Sequence, residues 1–248
     1  MAHEIASLVY GRHPVLEALR AEVPVQRILI AEGIRSTRPV REIRRRAQGR
    51  GVTIQYVPSK TLDQAVRARH QGVVAEVAPF EYAEFTTLLD ENQSGHPPLV
   101  LLLDCLQDVQ NFGALLRSAE AVGVHGVIIP KRRSVAVTPA VYRTSAGAVQ
   151  YLKIARVPNL VGAIKVLQGA GLWIVGLDAS GETRFEQVNL RGPLALVVGA
   201  EGKGLGRLVR EQCDLRVKLP MTGRVQSLNA AVAGSVILYE VWRQRQLT

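Results

Sequence analysis

Between residues 99 and 219 lie five apolar runs of strand length, Leu99–Asp104, Gly126–Pro130, Leu172–Leu177, Leu194–Gly199 and Leu215–Leu219. Helical patterns fall between them at Asn111–Val122, Pro139–Ala148, Leu160–Gln168 and Leu205–Gln212, and a last one spans Ser227–Arg245. Strands that are apolar along their whole length, rather than at every second residue, must be covered on both faces. Together with intervening helices they predict an α/β fold around a mostly parallel sheet. The longest pure apolar run, Leu99–Leu103, is far too short to cross a bilayer.

The first part of the chain reads as a smaller α/β layer. Strands are expected at Val25–Ala31, Val52–Val57 and Val73–Val77, and helices at Gly11–Leu19, Pro39–Gln48 and Ser59–Val66, the last with Ser59 as N-cap. A boundary is expected near residues 80–98, where Asn92-Gln-Ser-Gly-His-Pro-Pro is rich in helix and strand breakers. The division is therefore residues 1–80, a linker over 81–98, and a larger domain over 99–248. Apolar residues at 47% and charged residues at 21% exclude a disordered or coiled-coil chain. Met1-Ala-His-Glu, with an early acid and no apolar core behind it, does not read as a signal peptide. Cys105 and Cys213 alone make neither a disulfide framework nor a metal site, and are expected as small buried residues in a reducing cytoplasm.

The chain carries 31 Lys and Arg against 21 Asp and Glu, a net charge of +10. Such a balance favours a polyanionic partner. Arg35, Arg38, Arg41, Arg44, Arg45, Arg46 and Arg50 are opposed locally only by Glu42, and a helix with arginine on several faces cannot bury them all. Phosphates would neutralise them.

Three segments carry polar residues that packing alone does not require. In the first, Asp108-Val-Gln-Asn-Phe-Gly-Ala-Leu-Leu-Arg leaves a buried strand and enters a helix, with Arg117 one turn beyond Gly113. An ordinary fold would use Asn111 as a cap and Arg117 as solvated surface. The second, Gly199-Ala-Glu-Gly-Lys-Gly, ends another strand; glycines there admit close approach of a ligand. It has neither the register of a P-loop nor the context of a dinucleotide fingerprint. Glu201 would repel a phosphate, so a neutral or cationic ligand is expected. In the third, Ser227-Leu-Asn-Ala-Ala-Val-Ala, either Ser227 or Asn229 opens the final helix. As a mid-helix residue Asn229 would be out of place.

The trio N-x-G-x-x-x-R, G-A-E-G-x-G and S-L-N-x-x-x-A, in this order, resembles the SpoU (TrmH-type) family of RNA ribose 2′-O-methyltransferases, and the resemblance covers nearly all of residues 97–248, including Thr144-Ser-Ala-Gly-Ala. Tyr10-Gly-Arg-His-Pro-Val-Leu-Glu-Ala-Leu and Arg27-Ile-Leu-Ile-Ala are similar to the small substrate-binding domain of the RlmB-like branch, which methylates a guanosine of large-subunit rRNA. The family usually reads D-P-x-N where this chain has Asp108-Val109-Gln110-Asn111.

The resemblance implies a SPOUT-type sheet with a deep trefoil knot, and a homodimer with the active site near its interface. It implies S-adenosylmethionine held by Gly199, Leu219 and Leu228, with Leu177 and Ala200 nearby. Arg117 would act on the 2′-hydroxyl, with Asn111, Glu201, Ser227 and Asn229 positioning the groups around it, and no metal takes part. Arg12, Arg41, Arg44 and Arg45 are the expected RNA contacts, while His13 and His125 are expected to be structural. The apolar stripe Ala231, Ile237, Leu238 and Val241 serves either packing or the dimer. Competing readings keep the chemistry on another rRNA or tRNA nucleotide, as in thiostrepton-resistance enzymes, or discard it for a non-catalytic RNA-binding or ribosome-assembly protein. The intact polar motifs argue against the last.

Overall fold

The structure, a computed structural model, describes residues 7–66, 69–88, 97–225 and 227–247. Met1–Glu4 and the breaker-rich stretch Asn92–His96 lie outside them. Among the described residues are eleven strands and eight α-helices, numbered in chain order. They fall into two compact units. One comprises residues up to Glu81 together with Val137–Gly147, the other Tyr82–Ala136 together with Ala148–Thr248. The sequence division at 80–98 had assigned 137–147 to the larger domain.

The first unit has a four-stranded sheet in the order β1-β4-β2-β3, made of β1 (Ser7–Tyr10), β2 (Val25–Ala31), β3 (Thr53–Val57) and β4 (Val73–Val77). β4 is antiparallel to both β1 and β2, and β2 is parallel to β3. Helices α1 (Arg12–Arg20) and α2 (Arg38–Gly49) pack together. The latter buries Val40, Ile43 and Ala47, residues three and four apart that share one face. Ser59 is not the N-cap of α3 (Ser59–Ala65) but its first helical residue. Pro58 precedes it, and no side chain caps the end. α5 (Pro139–Thr144) buries Val141 and Tyr142, whose ring meets Phe80 edge-on at 6.5 Å. The helix stops short of the expected Ala148 because Ala146 and Gly147 are both left-handed.

The second unit is a seven-stranded sheet in the order β7-β6-β5-β10-β8-β11-β9, parallel at every pairing. Its strands are β5 (Leu99–Asp104), β6 (Gly126–Pro130), β7 (Ile154–Val157), β8 (Trp173–Leu177), β9 (Thr183–Arg184), β10 (Leu194–Gly199) and β11 (Leu215–Lys218). Every residue of β5, β6 and β10 is buried, as two covered faces demand. α4 (Val109–Ala121) begins at Asp108, whose Oδ1 accepts the Asn111 N–H at 2.7 Å. Val109 occupies the first helical position, where the usual proline would fit. The cap preserves the turn without it. α6 (Leu160–Gly169) and α7 (Arg207–Glu211) flank the sheet.

α8 (Ala230–Gln246) starts three residues later than Ser227. Asn229 is its N-cap and accepts the N–H groups of Ala231 at 2.9 Å and Val232 at 3.2 Å. Ala231, Ile237, Leu238 and Val241 are buried, so that stripe packs the helix onto its own unit. α8 lies against α4, where the Ser118 and Ser235 hydroxyls meet at 2.7 Å. Leu219 and Met221, after β11, and Ser227 and Leu228, before α8, lie beside Leu177 and Gly199 at the carboxyl ends of the central strands.

Candidate active site

The ends of β8, β10 and β11 stand side by side, the edge of a parallel sheet where ligands bind. A cavity of about 160 Å³ opens there. Leu177, Gly199, Ala200, Leu219 and Leu228 all line it, together with Ala179, Glu201, Met221 and Ser227. The residues singled out in sequence for one ligand thus share one wall.

The glycine loop after β10 closes on itself. Ala200 and Gly204 exchange two backbone hydrogen bonds, at 3.2 and 2.8 Å, and Gly202 and Gly204 have φ of 75° and 62°. A Cβ on Gly199 would stand 2.2 Å from the Gly204 carbonyl carbon. The glycine at 199 is therefore required by the loop's own backbone, not only by a ligand's approach.

The three motifs meet in one polar network. Asn111 Nδ2 donates to Glu201 Oε2 at 2.9 Å. Asn229 Nδ2 donates to Asn111 Oδ1 at 2.8 Å and reaches Glu201 Oε2 at 3.4 Å. The third oxygen, Asn229 Oδ1, caps α8. Buried amides are held where each polar atom has a partner. Glu201 thus joins α4 to the start of α8 and sets its carboxyl group at the cavity wall. Arg117 and Ser227 stand apart from this network. The Arg117 side chain is exposed on α4, and among the described residues its guanidinium has no hydrogen bond or ion pair. Ser227 lines the cavity and likewise has no hydrogen-bond partner.

Two aspartates that sequence reasoning missed brace the loop from behind. Asp104 Oδ2, at the end of β5, accepts the Gly206 N–H at 2.7 Å. Asp178, directly after β8, accepts the Ser180 N–H and hydroxyl at 2.9 and 2.8 Å, and pairs with Arg210 of α7 at 2.7 Å. Their signal in the sequence is an aspartate closing an apolar strand, at Leu103-Asp104 and Leu177-Asp178. Burial pushes the Asp178 carboxyl up. The Ser180 hydrogen bonds and the charges of Arg210 and Arg216 outweigh it and hold the group below the usual carboxylate range. A depressed folded value means stability present above the unfolded pKa, near 4, and lost as pH falls through the folded value. Asp178→Asn is expected to cost about 1–3 kcal/mol at pH 7. Its melting deficit against wild type should shrink between pH 6 and pH 3; a deficit that stays constant would remove this role from the carboxylate.

Neither cysteine is fully buried as expected. Both are half-buried, and Cys105 has a left-handed φ of 59°. Burial, Asp214 and Asp178 push the Cys213 thiol up to about 11, and burial with Asp104 raises Cys105. Neither is a thiolate nucleophile at neutral pH. His125 is structural, its Nδ1 accepting the Leu99 N–H at 3.1 Å. His13, expected to be the same, is exposed, and among the described residues its ring has no hydrogen bond or ion pair.

The arginines expected to meet RNA are partly engaged within the first unit. Arg45 and Arg46 share Glu42 at 2.7 and 2.8 Å, and Arg44 stacks over Tyr56 at 5.5 Å. Arg41 donates to the Ser36 carbonyl at 2.9 Å, and Arg12 to the Gln71 carbonyl at 3.1 Å. Arg50 is a structural tie, donating to the carbonyls of Leu19, Glu22 and Val23.

Comparison with known proteins agrees with this geometry. Residues 98–239 match the SpoU rRNA Methylase family, and residues 8–83 match a domain described as RNA 2′-O ribose methyltransferase substrate binding. A Bacillus subtilis protein, YacO, named for the TrmH family of tRNA/rRNA methyltransferases, is 44% identical over 238 residues, 96% of this chain and 95% of its own length. The crystal structure of the SpoU methyltransferase AviRb from Streptomyces viridochromogenes, in complex with AdoMet, superposes with a TM-score of 0.71 at 28% identity, covering 98% of this chain and 91% of that one. A TrmH/SpoU tRNA modifying enzyme of A. aeolicus gives 0.56 at 29% identity, covering 66% of this chain and 83% of that one. With its second unit matched almost throughout and its three motifs joined in one network, the chain belongs to the SpoU rRNA methylase family of RNA methyltransferases.

Proposed function

We propose that the chain transfers a methyl group from S-adenosylmethionine to the ribose 2′-hydroxyl of a nucleotide, a guanosine, in large-subunit rRNA. The observation that carries this reading is the closed Asn111–Glu201–Asn229 network, whose Glu201 lines the cavity at the sheet's carboxyl edge. The cavity suits the donor. Leu177, Leu219 and Leu228 would offer apolar surface to an adenine, Gly199 and Ala200 would let the donor approach the backbone closely, and Glu201 would favour a cation. When bound, S-adenosylmethionine supplies an electrophilic methyl group on a sulfonium.

The chain's own residues do the rest. Asn111, Glu201 and Asn229 fix the glycine loop to the two helices, and Ser227 adds a hydroxyl at the cavity. Arg117 orients the 2′-hydroxyl and stabilises the negative charge growing on its oxygen. A guanidinium stays protonated, so the 2′-hydroxyl proton passes to water or an RNA phosphate while the donor leaves as the neutral thioether S-adenosylhomocysteine.

On α8, Val232, Val236, Tyr239 and Trp242 form an exposed apolar stripe distinct from the buried one. This supports a homodimer built on that face, near the motif of Asn229. Among the described residues no helix is long and apolar enough to cross a membrane. We place the enzyme in the cytoplasm, where rRNA is made, and assign its chain path the trefoil knot of the family. The substrate-binding match over residues 8–83 favours rRNA over the tRNA branch, whose A. aeolicus representative covers only part of this chain. The deciding measurement is ribose-methylation mapping of rRNA and tRNA from a deletion strain. Loss of one 2′-O-methyl group in large-subunit rRNA is expected. Loss of one in tRNA instead, or of none, would overturn the assignment.

A further inference from the structure

The positive charge of the first unit divides into arginines with a partner and arginines without one. Arg27 is held by both oxygens of Glu76, at 2.7 and 2.8 Å, and Arg20 by Glu17 at 2.8 Å. Arg45, Arg46 and Arg50 are engaged as described above. Arg35, Arg38, Arg69 and Arg143, by contrast, are exposed, and among the described residues none of the four guanidiniums has a hydrogen bond or ion pair. Arg38 and Arg69 are not scattered. A shallow cavity of about 430 Å³ is lined by Arg12, His13, Thr37, Pro39, Arg69 and Gln71, with Arg38 between two of the lining residues. No acidic side chain lines it.

The floor of this notch is fixed in advance. Arg12 donates its backbone N–H to Gln71 Oε1 at 3.2 Å and its Nε–H to the Gln71 carbonyl at 3.1 Å. Gln71 is left-handed, with φ 54°, a conformation disfavoured for a residue with a Cβ. The next turn is locked by His70, which meets Asp63 at 2.9 Å and accepts the Gly72 N–H at 3.0 Å. A rigid concavity lined by two guanidinium groups and no carboxylate gains most from a ligand that brings negative charge to it.

We infer that this notch is a phosphate-binding site for the RNA backbone, and that Arg69 and Arg38, rather than the Glu42-paired arginines of α2, make its ionic contacts. The inference rests on the reading of the chain as an RNA methyltransferase and adds where on the first unit a phosphodiester sits. Arg12 shapes the site, and His13 adds a ring nitrogen to it. A phosphate there would satisfy both free guanidiniums, each with a planar fork of donors.

The test is binding of a fluorescent RNA hairpin of arbitrary sequence to the full chain across a salt series. Each lost phosphate contact flattens the slope of log K against log salt by about 0.7–0.9. Arg38→Ala with Arg69→Ala should therefore lower the slope by about 1.5 and weaken binding by about tenfold or more at low salt. Arg45→Ala should leave the slope nearly unchanged. Both arginines are exposed and unbonded, so their removal spares the fold. The Arg38→Lys, Arg69→Lys pair, which keeps the charge, should restore most of the slope. A double alanine variant with wild-type affinity and slope would overturn the notch. So would loss of binding in the double lysine variant as complete as in the alanine one. Failure of the wild-type chain to bind the hairpin at all would instead strike the broader reading.

Discussion

Arg117→Ala is expected to lower methyl transfer by at least about 10²–10³-fold, the scale on which a single group stabilising a developing oxyanion is worth. Affinity for S-adenosylmethionine should stay within about tenfold, since Arg117 does not line the cavity. The side chain is exposed and unbonded within the described chain, so its loss should change stability by no more than about 0.5 kcal/mol. That combination is what distinguishes a residue held ready for substrate from one that maintains the fold. Arg117→Lys should also be poor, because an ammonium lacks the planar fork. Near-normal turnover by a folded Arg117→Ala enzyme would remove the residue from the reaction.

Glu201→Ala should damage both stability and activity. It leaves the Asn111 amide, which is buried, without the acceptor it meets at 2.9 Å, and frees the cap of α8 from the glycine loop. An unmade buried hydrogen bond costs about 1–3 kcal/mol, and each kcal/mol lowers the melting midpoint by about 2–4 °C in a chain of this size. Turnover should fall by about 10²-fold or more, because the groups around the reacting oxygen lose their alignment. Glu201→Gln separates the two contributions. Its amide oxygen restores an acceptor, so the melting midpoint should largely recover. Cofactor affinity should not, because the carboxylate charge on the cavity wall is gone. An alanine variant with unchanged melting and turnover would show the network to be incidental.

Much of the second unit was legible because its strands announce themselves. Leu99–Asp104, Gly126–Pro130 and Leu194–Gly199 were placed to the residue, since a strand buried on both faces tolerates no polar interruption. β7 was missed because Arg156 breaks a run of four, and β9 because two residues carry no pattern. β1 was missed for its shortness. The site was legible as residues and not as contacts. Ser227 and Asn229 are both candidates in sequence for opening the last helix, and Asn229 is its cap. Asn111, Glu201 and Asn229 are separated by 90 and 28 residues, distances over which no local rule operates. The arginine cluster shows the opposite difficulty. A sequence counts charges but does not show that Glu42 takes two of them, or that Arg50 serves three carbonyls.

The place of β10 in the sheet sets an order on the protein's birth. It lies between β5 and β8, both of which leave the ribosome first. Until residues 194–199 emerge, those two strands have no partner for their facing edges, and exposed edges invite pairing with other chains. The cavity is later still, since Leu219 and Leu228 are among its walls and Asn229 closes its network. Contacts so distant in sequence form slowly, after a long loop has been closed against its entropy. The nascent chain therefore stays without a working site until Asn229 has been synthesised, and during that interval it depends most on being shielded from its neighbours.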